Sequence, residues 1–329
     1  MSFCIEPVPG IALLAFPRGE APLDEELAAR FSGFPCAAEH RYGLLRYLPD
    51  AVLPLADNTA QHRSLPYWCQ TALTTPFLLH FDSITDAATA LKSMQRNWAP
   101  YQYQLFRRAA LIQEKLPFIN GKPRRFPTTV PRTPMGLYTL IDEHTIVASA
   151  ETTSFLPAGA IAFAENHDNP PSRAYLKLWE ALTMAEVLLD AAVPAAGAHC
   201  FDGGAAPGGW TWALIQLGCT VYAVDRTELT PALMRHPRVT FQAHDAFTIP
   251  PEAVGSCDWV CSDVICYPER LYRWIQRWLQ SGLAKNMICT IKLHGKTDWA
   301  LIAAFAAIPG SRVVHLNYNK HELTWLYAA

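Results

Sequence analysis

Between His199 and Tyr327 the chain alternates short apolar runs with helical stretches, and this alternation narrows its fold more than any other feature. Strand signals fall at His199–Asp202, Val221–Asp225, Val239–Ala243, Trp259–Ser262, Met287–Leu293, Arg312–Asn317 and Leu323–Tyr327. Helical stretches at Trp210–Gln216, Pro231–Arg235, Glu269–Gly282 and Trp299–Ala307 lie between most of them. Strands separated by helices predict an α/β fold with a doubly wound, mostly parallel sheet. A long helix is predicted ahead of it over Ser172–Leu189, opened by Pro170-Pro171 and Ser172.

The first strand runs straight into Gly203-Gly204-Ala205-Ala206-Pro207-Gly208-Gly209-Trp210 and then a helix. Glycines let the backbone approach a ligand closely, and a helix N-terminus is electropositive. Asp225 ends the next strand, where an acid accepts ribose hydroxyls, and Asp245 follows the third, placed to meet an adenine amino group. The loop serves a dinucleotide or S-adenosylmethionine, or it is an ordinary tight turn. Its Asp-x-Gly-x-x-Pro-Gly-Gly-Trp form departs from G-x-G-x-x-G and lies in the C-terminal half, which favours S-adenosylmethionine. Candidate cofactor residues are therefore Asp202, Gly203, Ala205, Pro207, Gly208, Gly209, Trp210, Asp225 and Asp245.

Three further polar residues occupy comparable places in the predicted sheet. Asp263 closes the fourth strand, Lys292 ends the apolar fifth, and Glu322 opens the last. If that last strand is antiparallel, all three converge at the carboxyl edge, where open α/β sheets bind ligands. Lys177 lies in the helix before the glycine loop, bordering its apolar stripe. Each alone is more often a structural ion-pair partner or a snorkelling lysine.

The 329 residues carry 27 Lys and Arg against 29 Asp and Glu, which excludes a polycation, and 50% are hydrophobic, ample for a core. The charge is unevenly spread. From Lys92 to Arg132 nine basic residues meet the single acid Glu114, a net +8. The remainder holds 18 basic and 28 acidic residues, a net −10. Trp98, Tyr101, Tyr103, Phe106, Phe118 and Phe126 are interleaved with these cations. Cations bind phosphates and aromatic faces stack bases, so Arg107, Arg108, Lys122, Arg124, Arg125 and Arg132 are candidates for an RNA surface. The alternative is a solvated face over a core that uses the same aromatics. A strand at Thr75–Phe81, a helix capped by Ser83 and Asp86 running to about Trp98, and a hairpin of Gly136–Ile141 with Thr145–Ala150 predict an N-terminal α+β domain. The Asn166–Pro171 cluster marks the boundary, giving domains 1–165 and 166–329.

Nine cysteines without C-x-x-C spacing read as reduced thiols of a cytosolic protein. No signal peptide is expected from a start that meets Glu6 and Pro7 at once, nor any transmembrane helix or membrane partner. Cys257, Cys261 and Cys266 have no nearby histidine, and no metal site is expected.

Taken in order, Ser172-Arg173-Ala174-Tyr175-Leu176-Lys177-Leu178, Asp202 to Trp210, Ser262-Asp263-Val264, Ile291-Lys292-Leu293 and His321-Glu322 resemble the FtsJ-type 2′-O-ribose RNA methyltransferases. Within them the sequence is most similar to the RlmM type, which methylates a cytidine ribose of bacterial large-subunit rRNA. The resemblance covers about Pro171–Ala329, and Gly136–Ala164 resembles the segment before the catalytic domain. It implies a Rossmann-like class I methyltransferase domain, a seven-stranded sheet whose last strand is antiparallel, and an N-terminal RNA-binding region of THUMP type. It also implies S-adenosylmethionine as cofactor and a catalytic tetrad at Lys177, Asp263, Lys292 and Glu322. Lys292 would be the general base, Lys177 a cation that orients the hydroxyl, and the two acids their supports. A lysine acts as base only when its pKa falls, and Lys177 together with desolvation is expected to lower that of Lys292. The same chemistry on tRNA or a cap ribose, a non-catalytic RNA-binding assembly factor and a nicotinamide oxidoreductase stay open at this point.

Overall fold

A computed structural model describes residues 2–31, 36–51 and 65–329, which divide into two compact units. The first comprises Met1–Pro123 and Val130–Ala162, the second Arg124–Thr129 and Phe163–Ala329.

The first unit is α+β. Its elements are β1 (Phe3–Pro7), β2 (Ile11–Ala15), α1 (Glu20–Arg30), β3 (Arg41–Tyr42), β4 (Leu45–Leu48), β5 (Cys69–Leu73), β6 (Phe77–Phe81), α2 (Ile84–Met94), β7 (Trp98–Pro100), α3 (Phe106–Lys115), β8 (Gly136–Leu140) and β9 (Thr145–Ser149). They build a five-stranded sheet, β1-β6-β9-β8-β7, and a four-stranded sheet, β3-β4-β2-β5. Strands β8 and β9 form the expected hairpin and are buried along their whole length, because each face meets a different core. Tyr138, Leu140, Ile146 and Ala148 join Ala87, Leu91 and Ile112 of α2 and α3 on one side, while Leu137 and Val147 meet Ala12, Leu14 and Leu45 on the other. Two covered faces remove the polar–apolar alternation that marks a half-buried strand.

Ser83 caps α2 as expected, its Oγ accepting from the Asp86 amide at 3.1 Å. The helix stops at Met94 and not at Trp98, which opens β7. Trp98 is fully buried and its indole donates to the Leu91 carbonyl at 2.9 Å, so an apolar residue at helical spacing belongs to the next element.

In the second unit α4 (Tyr175–Leu189) precedes β10 (His199–Gly203), α5 (Gly209–Gln216), β11 (Thr220–Asp225), α6 (Pro231–Met234), β12 (Val239–Ala243), α7 (Pro251–Val254), β13 (Cys257–Ser262), α8 (Pro268–Ser281), β14 (Ala284–Lys292), α9 (Trp299–Ala306), β15 (Ser311–Val314) and β16 (Glu322–Ala328). The seven-stranded sheet has the order β12-β11-β10-β13-β14-β16-β15. Strands β10 to β14 pair in parallel, and β16 runs antiparallel to both β14 and β15. Helix α8 shows why the pattern is legible here: Leu271, Trp274, Ile275 and Trp278, at helical spacing, are its buried residues.

The basic segment is divided between the units. Arg124 and Arg125 fall in the second, apart from the rest of the region assigned to the first domain by sequence. The Ala164 amide donates to the Arg124 carbonyl at 2.8 Å, and the Phe126 ring stacks on Trp179 with centroids 5.0 Å apart. Burial of that aromatic face ties residues 124–129 to the second unit.

Candidate active site

The carboxyl edge of the parallel strands gathers charges from four separate elements. Lys292 ends β14 and Glu322 begins β16; the antiparallel register makes them direct cross-strand partners. Asp263 follows β13, next to β14 in the sheet. Lys177 comes from the first turns of α4, a helix whose buried face surrounds it with Leu176, Leu178 and Ala181.

The four side chains close into a ring of alternating charge. Lys177 Nζ lies 3.0 Å from both Asp263 oxygens and 2.6 Å from Glu322 Oε1. Lys292 Nζ lies 2.6 Å from Asp263 Oδ1 and 2.6 Å from Glu322 Oε2. Their side chains retain between 9% and 20% exposure, so the ring is mostly buried but reachable from one side. Burial alone would raise both carboxyls; the ammonium groups of Lys177 and Lys292 reverse this and hold Asp263 and Glu322 below the ordinary carboxylate range.

The same ring corrects the expectation for Lys292. Burial does pull its pKa down, but Asp263 and Glu322 outweigh burial and leave it above the ordinary lysine value. Each ammonium faces two carboxylates at contact distance, so the neighbouring cation does not decide the balance.

The glycine loop lies on the same edge, at the end of β10. Gly204 has φ +81°, and a Cβ there would sit 2.3 Å from Val264 Cγ2, in the segment after Asp263. Gly208 caps α5 at φ +117°, where a Cβ would collide with Leu233. Both positions require glycine. Asp225, at the end of β11, holds the loop: its carboxylate accepts from the Ala206 amide at 3.0 Å and the Thr227 amide at 2.9 Å. Asp245 lies beyond β12 between Arg226 and Arg270, 2.5 and 2.8 Å away. Burial would raise it, but Arg270, the Phe247 amide and Arg226 bring it down to about 2. Ala205 is buried in the loop and Pro207 is exposed.

Three of the sequence candidates have partners within the fold. Trp210 is buried and its indole donates to the Ala174 carbonyl at 3.0 Å, fastening the loop to the start of α4. Gly209 packs equally close: a Cβ there would meet Ser172 Oγ at 2.4 Å. Asp202 is fully buried and accepts from the Thr211 hydroxyl at 2.6 Å. Burial, with some repulsion from Asp263, pushes its carboxyl up to about 7.

The candidate RNA residues are dispersed. Arg107 is exposed on α3, while Arg108 is half-buried with its guanidinium 5.5 Å from the Phe81 ring. Lys122 and Arg132 are exposed in the first unit and Arg125 in the second, where Arg124 is half-buried. Of the interleaved aromatics Trp98 is core, whereas Phe106 and Phe118 are 60% and 83% exposed.

One supporting residue escapes the sequence reading. Glu180, one helical turn after Lys177 and fully buried, accepts from the Asn317 and Tyr318 amides at 2.9 Å each. It ties the helix that carries Lys177 to the segment leading into Glu322. Burial pushes it up to about 7. An acid among the apolar residues of a helix, at i+3 from a lysine, is the signal that would have found it.

Residues 170–303 match the model of the FtsJ-like methyltransferase family. The FtsJ-like span holds the glycine loop, Lys177, Asp263 and Lys292; Glu322 lies beyond it. Among curated relatives, the ribosomal RNA large subunit methyltransferase M of Halorhodospira halophila is 42% identical over 161 residues, 47% of this chain and 46% of that protein. Its namesake from Xylella fastidiosa strain M12 is 36% identical over 169 residues, 48% of this chain and 47% of that protein. That from Alkalilimnicola ehrlichii is 35% identical over 166 residues, 47% and 45% of the two chains. The match spans about half the length of these relatives.

Proposed function

We propose that the second unit is a class I, Rossmann-like methyltransferase domain that transfers a methyl group from S-adenosylmethionine to a ribose 2′-hydroxyl of RNA. The proposed substrate is large-subunit rRNA at a cytidine, acted on in the cytoplasm, with the first unit and its basic residues as an RNA-binding region. The observation that carries this reading is the closed ring of Lys177, Asp263, Lys292 and Glu322, beside a glycine loop on the carboxyl edge of a mostly parallel sheet. The relatives named for rRNA methylation support it.

The residues present suit such a cofactor. Gly204 and Gly208, packed against Val264 and Leu233 at positive φ, let the loop turn with no side chain of its own, and Asp225 and Asp245 place carboxylates at and just beyond the ends of β11 and β12. When bound, S-adenosylmethionine supplies a methyl group already activated by its positive sulfonium. The rest falls to the chain. A ribose hydroxyl is a weak acid, so it needs positioning and a proton acceptor. Lys292 Nζ takes the hydroxyl proton from its neutral form, and Lys177 donates a hydrogen bond to the developing alkoxide. Asp263 and Glu322 fix both nitrogens and balance their charge. Because the carboxylates favour the ammonium of Lys292, the neutral form is scarce near neutrality and the rate should rise with pH.

The test is methylation of rRNA from cells that lack the gene, read by ribose-methylation mapping. Lys292→Ala should abolish transfer while S-adenosylhomocysteine still binds. Unchanged turnover would remove Lys292 from the chemistry, and a map identical with and without the gene would remove the function.

A further inference from the structure

Two of the ring's side chains are followed by loops with unusual surfaces. Asp263 leads into Val264-Ile265-Cys266-Tyr267, where Ile265 is 79% and Tyr267 71% exposed. Among the described residues of the second unit, these two are the large apolar side chains most open to water. Lys292 leads into Leu293-His294-Gly295-Lys296, with His294 and Lys296 exposed. The Tyr267 and His294 rings come together across the two loops, centroids 5.4 Å apart and tilted by 58°. The third loop, ahead of Glu322, exposes Lys320.

Tyr267 is also held firmly. It is the N-cap residue of α8, with Pro268 next, and its carbonyl accepts from the Arg270 amide at 3.0 Å. An aromatic face kept in water on a fixed backbone is preorganised for a planar ligand. Chain reach puts His294 within about 7 Å and Tyr267 within about 14 Å of the ring residue that precedes each, backbone to backbone. The segments 264–267, 293–297 and 317–321 contain no carboxylate, and they carry Lys296 and Lys320. An aromatic pair with cations around it, beside a site for a ribose, fits one nucleotide: base on the rings, phosphates on the lysines.

We propose that Tyr267 and His294 form the stacking platform for the base of the nucleotide whose ribose enters the ring, with Lys296 and Lys320 meeting the flanking phosphates. The inference rests on the RNA methyltransferase reading and deepens it. Stacking is indifferent to base identity, so the platform holds the nucleotide flipped out of its strand and leaves choice of site to other contacts.

The experiment compares wild-type protein with Tyr267→Ala and Tyr267→Phe in methylation of rRNA lacking the modification. Loss of one base–aromatic stack should raise KM for RNA about 5- to 150-fold with little change in kcat. Binding of S-adenosylhomocysteine and the melting temperature should not move, because the side chain is exposed. Tyr267→Phe keeps the ring and should behave as wild type. Lys296→Ala with Lys320→Ala should flatten the salt dependence of RNA binding by about 1.4 in log–log slope. A wild-type KM in Tyr267→Ala, or an equal defect in Tyr267→Phe, overturns the platform. Wild-type protein without methyl transfer to rRNA would instead refute the methyltransferase reading. The platform is then decided by binding of a short single-stranded RNA carrying 2-aminopurine: weaker binding by Tyr267→Ala supports it, and equal affinity overturns it.

Discussion

Replacing Glu322 by glutamine tests the charge ring at its most constrained member. Glu322 touches Lys177 at 2.6 Å and Lys292 at 2.6 Å, so the substitution keeps the shape but removes one of the two anions facing each ammonium. At an effective dielectric of about 20, each contact is worth roughly 6 kcal/mol before the opposing desolvation of the ions. Net values are smaller, and breaking a buried ion pair by removing one partner typically costs about 3–5 kcal/mol. Denaturant unfolding of Glu322→Gln should therefore show a loss of about that size. A second readout is specific to the mechanism. With Glu322 neutral, only Asp263 still raises the pKa of Lys292, while burial continues to lower it. The rising limb of the pH–rate profile should then move to lower pH even as the maximal rate falls from lost positioning. Single-turnover methylation from about pH 6 to about pH 10 measures it, and a limb that stays in place, or moves up, refutes Lys292 as the titrating base.

Asp202→Asn should make stability less dependent on pH. A carboxyl raised in the folded state to about 7 favours folding in its protonated form, so its contribution is full at low pH and is lost as pH rises through that value. In the Asp202→Asn variant the difference between unfolding at about pH 5 and about pH 8 should shrink by a few kcal/mol, on the order of 1.4 kcal/mol per pKa unit, and an unchanged difference would show that the buried acid does not titrate there. Gly204→Ala places a side chain 2.3 Å from Val264 at φ +81°, and should lower stability by about 1–3 kcal/mol and weaken S-adenosylhomocysteine binding in a calorimetric titration. Charge reversal at Arg124 and Arg125, and separately at Lys122 and Arg132, asks which unit carries the phosphate contacts: each pair that meets RNA should flatten the salt slope of binding, while an unchanged slope leaves it as a solvated face.

How far the sequence was readable depends on how many surfaces each segment buries. In the second unit a helix such as α8 has one apolar stripe and a central strand such as β13 is buried along most of its length, so the predicted Trp259–Ser262 falls within β13. In the first unit β8 and β9 are enclosed between two cores, and β1 to β5 with α1 gave no usable period. The site was legible for a different reason. Polar residues at strand ends, at the carboxyl edge of a parallel sheet, converge by topology, and the register that sets Lys292 opposite Glu322 completes the geometry. What position cannot reveal is partnership. Nothing in sequence distinguishes Asp202, turned to Thr211 and raised toward neutrality, from Asp245, clamped by two arginines and driven down.

These partnerships also explain how one sheet edge can receive two ligands of opposite charge. On the glycine-loop side the Asp225 carboxylate, held by the Ala206 and Thr227 amides, is the charge that complements a cationic methyl donor, while Asp245 is offset by Arg226 and Arg270. Beyond the ring, Lys296 and Lys320 are exposed in segments that hold no acid, a setting that complements a polyphosphate chain. The ring itself is neutral, two cations against two anions. A net positive ring would repel the donor, and a net negative one would repel RNA. Neutrality obtained from four charges, in place of four apolar residues, keeps a removable proton there. On this argument Lys292→Met with Glu322→Met should restore much of the stability lost in Glu322→Gln, since no buried ion is left without its partner on that side, and should still transfer no methyl group. Recovery of activity along with stability would mean that the ring holds the fold and does nothing else.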